Sequence, residues 1–104
     1  MLDTQKTSYT CHVIESFRHK GLKRLYQRGD RRAVGADMID KIERILTLLD
    51  AADRPEALDL PGMAFHPLKG DLKGFYAVTV RANWRVIYRF ENGNAYDVSL
   101  IDYH

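Results

Sequence analysis

The spacing of apolar residues in the first half of the chain predicts two amphipathic helices. Leu22, Leu25 and Tyr26 recur at helical spacing between Gly21 and Gly29, and the second glycine is a typical stop signal. The second helix has a 3.6-residue apolar stripe made of Met38, Ile39, Ile42, Ile45, Leu46 and Leu49. Upstream of both helices, residues 13–17 form an apolar stretch that suits a short strand. We expect the two helical stripes to lie in the core.

From Gly74 onward the apolar period changes to two, which predicts antiparallel strands. Residues 91–93 suit a three-residue loop with Gly93 in the left-handed conformation, and residues 82–84 suit a similar loop in the preceding hairpin. A one-residue slip flips every side chain, so the register with the cleaner apolar face is preferred. It pairs Val86 with Val98, Tyr88 with Tyr96, Arg85 with Ser99, Val80 with Val86, Val78 with Tyr88 and Tyr76 with Phe90.

This register predicts an α+β fold, in which an antiparallel sheet carries two N-terminal helices on one face and a basic concave face opposite. The concave face is expected to hold Phe75, Ala77, Thr79, Arg81, Arg85, Ile87, Arg89, Asp97 and Ser99. Arg81 and Arg85 would face each other at the mouth of the first hairpin. The last strand would then deliver the terminal residues 102–104 beside both arginines.

Two arginines beside a carboxylate, a phenol and an imidazole suit phosphate chemistry. Guanidinium groups bind phosphate oxygens bidentately, Asp or His can move protons, and Tyr can stack on an exposed base. The plainer interpretation is a surface ion pair between Asp102 and an arginine, which contributes little. His66 and Lys69, in a loop punctuated by Pro and Gly, are a second candidate pair, although residues 69–71 also suit a simple turn. Spacing alone does not bring that loop to the concave face.

Composition excludes several classes of protein but does not indicate a particular activity. A chain of 104 residues is expected to form one domain, and the single Cys11 leaves no internal disulfide or Cys-rich metal site. No apolar run has the length of a membrane span or a signal peptide, which predicts a reducing cytoplasm. Net charge is only +2, yet residues 15–36 hold seven bases against two acids, while residues 37–60 hold seven acids against three bases. The basic region permits a polyanionic partner, or is a solvated helix face.

Several motifs in order resemble one known family. They are SFRHKGLKRLY (16–26), HPLKGD (66–71), GFYAVTVRANWRV (74–86) and the terminal DYH. With these, residues 13–104 resemble the HigB-type toxins of the RelE/ParE superfamily, and this stretch is the predicted toxin domain. Residues 1–12 precede the point where the family's chains usually begin and have no apolar period, so we expect an extension that is dispensable.

The resemblance implies a bacterial toxin that cleaves mRNA on the ribosome and is held inactive by a co-encoded helix-turn-helix antitoxin of the HigA type. By motif position it implies six catalytic residues: His66, Lys69, Arg85, Asp102, Tyr103 and His104. Asn83 matches a position associated with the codon bases, and the basic face adds Arg81 and Arg89 as RNA-binding residues.

The implied reaction is attack of the RNA 2′-hydroxyl on the adjacent phosphorus, which needs no metal or cofactor. Lys69 and Arg85 would offset charge on the phosphate, and Tyr103 would hold a base or orient the attacking group. His66, Asp102 and His104 are unranked candidates for proton transfer.

Two other functions remain open. A ParE-like protein would use the concave face to bind and poison DNA gyrase, and a degenerate toxin would only bind RNA. The HPLKGD and DYH motifs favour the ribonuclease, because a protein that only binds has no need of them.

Overall fold

A computed structural model describes residues 14–103, and both predicted helices are present in it. They are α1, Lys20–Arg28, and α2, Ile39–Ala51. Short 3-10 turns lie at Arg31–Ala33, Pro55–Leu58 and Gly70–Leu72. The helix boundaries therefore lie within two residues of those expected from the apolar stripes.

The ends of α1 are fixed by specific local contacts. Nδ1 of His19 accepts a hydrogen bond from the backbone N–H of Leu22 at 3.1 Å, which caps the N-terminus. Burial, and secondarily the nearby Arg24 guanidinium, lower the pKa of His19, so the neutral ring that can accept this bond is favoured. Gly29 ends the helix in the left-handed conformation, with φ of 66°.

Two contacts position α1 against its neighbours. A side chain at Gly21 would place its Cβ 2.4 Å from the carbonyl oxygen of Ala33, so this close approach requires glycine. The Tyr26 hydroxyl donates to Asp50 of α2. Burial, and then that hydrogen bond, raise the pKa of Tyr26 to about 12.

The sheet has four antiparallel strands in the order β1-β2-β3-β4. They are β1, His66–Pro67; β2, Tyr76–Arg81; β3, Trp84–Glu91; and β4, Asn94–Asp102. Strand β1 falls in a segment for which the sequence indicated only a loop, and its proline suits an edge strand. Residues 14–17 do not form the expected full strand, but pair in parallel with β4 through single bridges from Ile14 to Ala95 and from Phe17 to Val98.

The hairpin between β3 and β4 turns through two residues, Asn92 and Gly93, with φ of 54° and 81°. Asn-Gly is the favoured pair for such a turn because both residues tolerate positive φ. This turn is one residue shorter than the predicted loop, which shifts the register by one. A bulge opposite Tyr88, where Asp97 has φ of 54°, shifts it by one more. The pairs are Val86 with Leu100, Arg85 with Ile101, Ile87 with Ser99, Arg89 with Tyr96 and Phe90 with Ala95. The predicted partners of Val86, Tyr88 and Arg85 in β4 are therefore wrong.

The hairpin between β2 and β3 is also tighter than predicted. Ala82 and Asn83 make the turn, and Ala82 takes φ of 48°. The pairs are Tyr76 with Tyr88, Ala77 with Ile87, Val78 with Val86, Thr79 with Arg85 and Arg81 with Trp84. Val80 is the extra residue of a bulge, so the predicted pairs of Val80, Val78 and Tyr76, and the pairing of Arg81 with Arg85, are wrong.

The two faces of the sheet are nevertheless largely as predicted. Away from the bulges the observed register differs from the predicted one by two residues. Because side chains alternate between the faces with period two, a shift of two leaves each side chain on its predicted face. Between the β3–β4 turn and Asp97 the difference is one residue. There Ala95, rather than Tyr96, is buried against the helices.

The main core lies between the helices and one face of the sheet. Ile42 and Ile45 of α2 and Val86 and Tyr88 of β3 are fully buried in it. The hydroxyl of Tyr88 donates to the carbonyl of Pro55 at 3.1 Å, so the phenol has a partner inside the core. These observations confirm the α+β class with helices on one face. Across residues 14–103 we find no helix with the length and apolarity that a membrane crossing requires.

Candidate active site on the open face

The sheet face opposite the helices, here called the open face, carries Ala77 and Thr79 of β2 and Arg85, Ile87 and Arg89 of β3. Its centre is apolar: Leu68, Phe75, Ala77 and Ile87 form a small buried cluster, against which Leu72 and Ile101 pack. The expectation of a basic face is therefore right only at the margins, where the arginines surround this cluster.

The HPLKGD segment does fold over the open face. His66 pairs with Ala77, so the pleat places both on the same side of the sheet. The N–H of Leu68 donates to the carbonyl of Phe75 at 2.9 Å, and Leu68 is only 6% exposed. Burial of that leucine in the apolar cluster explains what the spacing could not predict. Lys69 follows directly and is exposed.

The imidazole of His66 has a defined hydrogen-bonding state. Its Nδ1 lies 3.0 Å from the carbonyl oxygen of Ala64, a residue with φ of 49°. A carbonyl only accepts hydrogen bonds, so we assign the proton of the neutral ring to Nδ1. The second nitrogen, Nε2, is then the one that can take a proton.

Arg85 is held beside the β2–β3 turn. Its Nη1 donates to the carbonyls of Ala82 at 2.8 Å and Trp84 at 3.3 Å. Its guanidinium carbon lies 6.0 Å from the centroid of the Tyr103 ring. Within residues 14–103, its buried Nε has no hydrogen-bond partner. An unpaired buried donor costs about 1–3 kcal/mol, and such strain is more common at functional sites than elsewhere.

At the end of β4, Tyr103 and Asp102 of the terminal motif lie on opposite sides of the sheet. The N–H of Tyr103 donates to the carbonyl of Asn83 at 2.8 Å, and its ring is 40% exposed beside Arg85. Asp102 pairs with Trp84, which packs against the helix-side core, so it lies on the other side of the strand. Tyr103 and Asp102 therefore lie on opposite sides of the strand, with Asp102 on the side to which Arg81 turns. His104 lies outside the described residues, as do residues 1–13.

Arg81 is not on the open face, which corrects the sequence prediction. The bulge at Val80 turns it to the side of its partner Trp84. Its guanidinium there contacts the carboxylate of Asp37, just before α2. Nothing in the spacing of the sequence marks Val80 as a bulge.

The far end of the open face holds Phe75 with two arginines on its ring. The guanidinium carbon of Arg89 is 5.9 Å from the ring centroid and that of Arg18 is 5.7 Å. Arg89 also donates to Asp97 at 3.0 Å. The sequence places Arg18 in the basic region 15–36 and in the motif at 16–26, but no periodicity connects the residues before α1 to this face.

Cationic, imidazole and phenol side chains thus surround an apolar floor on one open sheet face. In the described part of the chain, no three His, Cys, Asp or Glu side chains gather as a metal site would require. This set of side chains on a small α+β fold is of a kind that can bind and polarise a phosphodiester.

The sequence profile described as "RelE-like toxin of type II toxin-antitoxin system HigB" matches residues 15–104. The chain therefore belongs to the HigB family of RelE-like toxins of type II toxin–antitoxin systems. It is 44% identical over 92 residues to the Endoribonuclease HigB of Proteus vulgaris, covering 88% of this chain and all of that protein. The family predicted from the motifs is confirmed.

Two solved structures have the same fold. A mutant of YafQ from E. coli aligns with a TM-score of 0.56 and 24% identity, over 86% of this chain and 90% of that one. YoeB in its complex with YefM from Staphylococcus aureus aligns with a TM-score of 0.56 and 23% identity, over 88% and 97%. At this identity the likeness shows the fold alone.

Proposed function

We propose that this toxin is an endoribonuclease that cleaves mRNA bound to the ribosome by attack of a 2′-hydroxyl on the adjacent phosphorus. The observation that carries the proposal is the fixed Arg85 guanidinium beside Tyr103, with His66 on the same open face. The name of the Proteus vulgaris relative supports the reaction class.

His66 and Arg85 are spaced to work on opposite sides of a nucleotide. Their strands are separated by β2, and His66 aligns through Ala77 with Ile87, two residues from Arg85, so their backbones are about 12 Å apart. Nε2 of His66 would accept the 2′-hydroxyl proton, and Arg85 would stabilise the negative charge that develops on the phosphate. Lys69, exposed beside His66, would add a second cation on the phosphate.

The terminal motif would complete the site. The exposed Tyr103 ring offers a surface on which a base can stack or be oriented. Proton delivery to the leaving 5′-oxygen requires an acid, for which we propose His104, because Asp102, the other candidate from the motif, lies on the side of the strand away from Arg85. Asn83 at the adjacent turn is proposed to contact codon bases, and Arg89 to bind the RNA backbone. Among the proposed acid–base residues, His66 is the one whose ring nitrogens can be assigned, with Nδ1 donating to Ala64 and Nε2 left to accept a proton.

The proposed dependence on the ribosome follows from the site residues within 14–103, none of which is a strong base. Free RNA samples many conformations, and few of them align the 2′-hydroxyl with the leaving oxygen. Much of the rate would come from holding one nucleotide in that geometry, which a decoding site can do. The reaction as proposed moves one proton from the 2′-oxygen to the leaving oxygen, so it requires no cofactor.

Inhibition is proposed to come from a co-encoded helix-turn-helix antitoxin of the HigA type, in the same cytoplasm. The family is defined by two-protein toxin–antitoxin systems, and the similar YoeB structure is that of a complex with YefM. We propose residues 13–104 as the toxin domain and residues 1–12 as dispensable.

The gyrase alternative has no comparable support. It would need the open face only as a docking surface, for which the fixed position of Arg85 and the orientation of His66 have no use.

Mapping of mRNA 5′ ends in a translating bacterial extract tests the proposal. Wild-type protein should produce new 5′-hydroxyl ends within codons at the ribosomal decoding site, while Arg85→Ala should not. Unchanged mRNA together with inhibited gyrase would refute the ribonuclease and establish the alternative.

A further inference from the structure

The open face has a second cationic end that the proposed reaction leaves unexplained. Phe75 lies there, and the guanidinium groups of Arg18 and Arg89 each lie within 6 Å of its ring centroid. Phe75 itself is only 7% exposed. The ring is therefore a support that holds two arginines rather than a free surface for a base.

The two arginines differ in how their charge is compensated. Arg89 donates to Asp97 at 3.0 Å, and Glu91 lies 3.5 Å from its Nη2. Within residues 14–103, no carboxylate oxygen comes within 4.0 Å of the Arg18 guanidinium. Arg18 therefore supplies the less compensated positive charge at this end of the face.

Arg18 is also well placed before any ligand arrives. Its backbone N–H donates to the carbonyl of Val98 at 2.8 Å, which fixes the main chain to β4. The Phe75 ring, 5.7 Å from the guanidinium carbon, attracts the Arg18 charge without using its N–H donors. Little side-chain freedom would then be lost when an anion binds.

We propose that Arg18 binds an RNA phosphodiester that flanks the cleaved one in the same strand, about two nucleotides away. Arg89 is four residues along β3 from Arg85, which corresponds to about 13 Å. Arg18 shares the Phe75 ring with Arg89, so it lies near that end rather than near the reacting phosphate. A phosphate accepts two parallel N–H bonds from one guanidinium, which fits this residue. This inference rests on the proposed function and adds a flanking subsite to it.

The first measurement is the affinity for a short single-stranded RNA whose 2′-O-methyl groups prevent cleavage. The Kd of wild type and Arg18→Gln is determined over a series of salt concentrations. Gln keeps part of the stem against Phe75 and removes the charge. We expect Arg18→Gln to weaken binding about 3- to 10-fold at low salt and to reduce the slope of log K against log salt by about 0.7, which corresponds to one lost phosphate contact.

Two control variants separate this role from packing and from net charge. Arg18→Lys keeps the charge and should retain most of the salt slope. Lys23→Ala removes one exposed cation from α1, on the helix side, and should bind with the wild-type slope. If Arg18→Gln and Lys23→Ala have the same slope, only net charge matters and the proposal is wrong.

The phosphate could belong to mRNA or to ribosomal RNA, so the same series is repeated with vacant ribosomes. A loss on the oligonucleotide assigns Arg18 to mRNA, and a loss only on ribosomes assigns it to ribosomal RNA. Only the first result supports the proposed contact; a loss confined to ribosomes, or no loss in either assay, overturns it.

Kinetics distinguish failure of this inference from failure of the proposed function. With cleavable mRNA on ribosomes, Arg18→Gln should raise KM about 3- to 10-fold and leave kcat unchanged, because it removes uniform binding. Active wild type with an unaffected Arg18→Gln variant would refute the subsite alone. An inactive wild type that still binds RNA through Arg18 would refute the ribonuclease and keep the subsite.

Discussion

The two faces of one sheet are built by opposite rules. On the helix face, strands and helices bury a continuous apolar core. The hydroxyl of Tyr88, which lies in this core, is hydrogen bonded. On the open face only four of residues 14–103 form a buried cluster, and charged side chains surround them. The open face also contains the unpaired Nε of Arg85 and, in its loop, the left-handed Ala64. Stability is concentrated on one face, which lets the other keep local strain that serves binding and chemistry.

Removal of residues 103 and 104 should produce the largest difference between the effect on cleavage, a property of the open face, and the effect on stability, a property of the helix face. We expect complete loss of mRNA cleavage, because the ring beside Arg85 and the terminal imidazole are both removed. Circular dichroism and the thermal unfolding midpoint should stay close to wild type, since Tyr103 is exposed and outside the core. Cleavage that survives in a folded truncated protein would remove the terminus from the site.

Ile42→Ala tests the helix face alone. Ile42 is fully buried, so we expect the free energy of unfolding to fall by about 2–5 kcal/mol. Chemical denaturation measures this loss. Cleavage per folded molecule should be unchanged at a temperature where the variant remains folded. A large change in kcat of the folded fraction would show that the faces are coupled.

Arg85→Ala is the corresponding test of the open face. We expect kcat to fall about 10²-fold, by analogy with the loss of one transition-state donor. The free energy of unfolding should stay within about 1 kcal/mol of wild type, because the lost hydrogen bonds to turn carbonyls are offset by removal of an unpaired buried donor. Arg44→Ala, an exposed arginine of α2 with the same change of charge, is the matched control. Equal kcat values for Arg85→Ala and Arg44→Ala would contradict the assignment.

The smallest expected effect is a pH dependence on the helix side. Because the folded state lowers the pKa of His19, the unfolded chain binds that proton more readily. The stability contributed by the cap is therefore complete above pH about 6.5 and is lost as pH falls further. A capping hydrogen bond contributes about 1 kcal/mol. Unfolding free energies of wild type and His19→Asn between pH 7.5 and 5 measure the effect, and the Asn cap should give the flatter profile. Parallel profiles would show that the cap does not titrate.

Sequence pattern predicted the faces of the sheet better than its register. The stripe from Ile39 to Leu49 has only one arrangement that buries it, so α2 was predictable. The hairpin registers were not predictable. A turn of two residues and a loop of three both fit the Asn92-Gly93 signal, and the β2–β3 turn, Ala82-Asn83, has no glycine to mark it. The bulges at Val80 and Asp97 depend on packing and side-chain contacts from distant elements, such as Ser16 with Asp97.

In the candidate site, too, local pattern predicted some placements, while others depend on contacts between distant segments. Tyr103 beside Arg85 was predicted from alternation along the strands and is confirmed as a contact. The position of Arg81 was wrong because one bulged residue reverses its side. His66 reaches the open face through the burial of Leu68, a long-range effect that local spacing does not contain. The catalytic roles of these residues stay predictions.

The pairing of residues 14–17 with β4 has a consequence for synthesis of the toxin. The first described residues find their partners, Ala95 and Val98, only about 80 positions later in the chain. Contacts between such distant segments form late, because a long loop must close before they contribute. A growing polypeptide therefore cannot complete the Arg18 end of the open face until β4 has left the ribosome. This order of assembly would keep an unfinished toxin harmless to the ribosome that is making it.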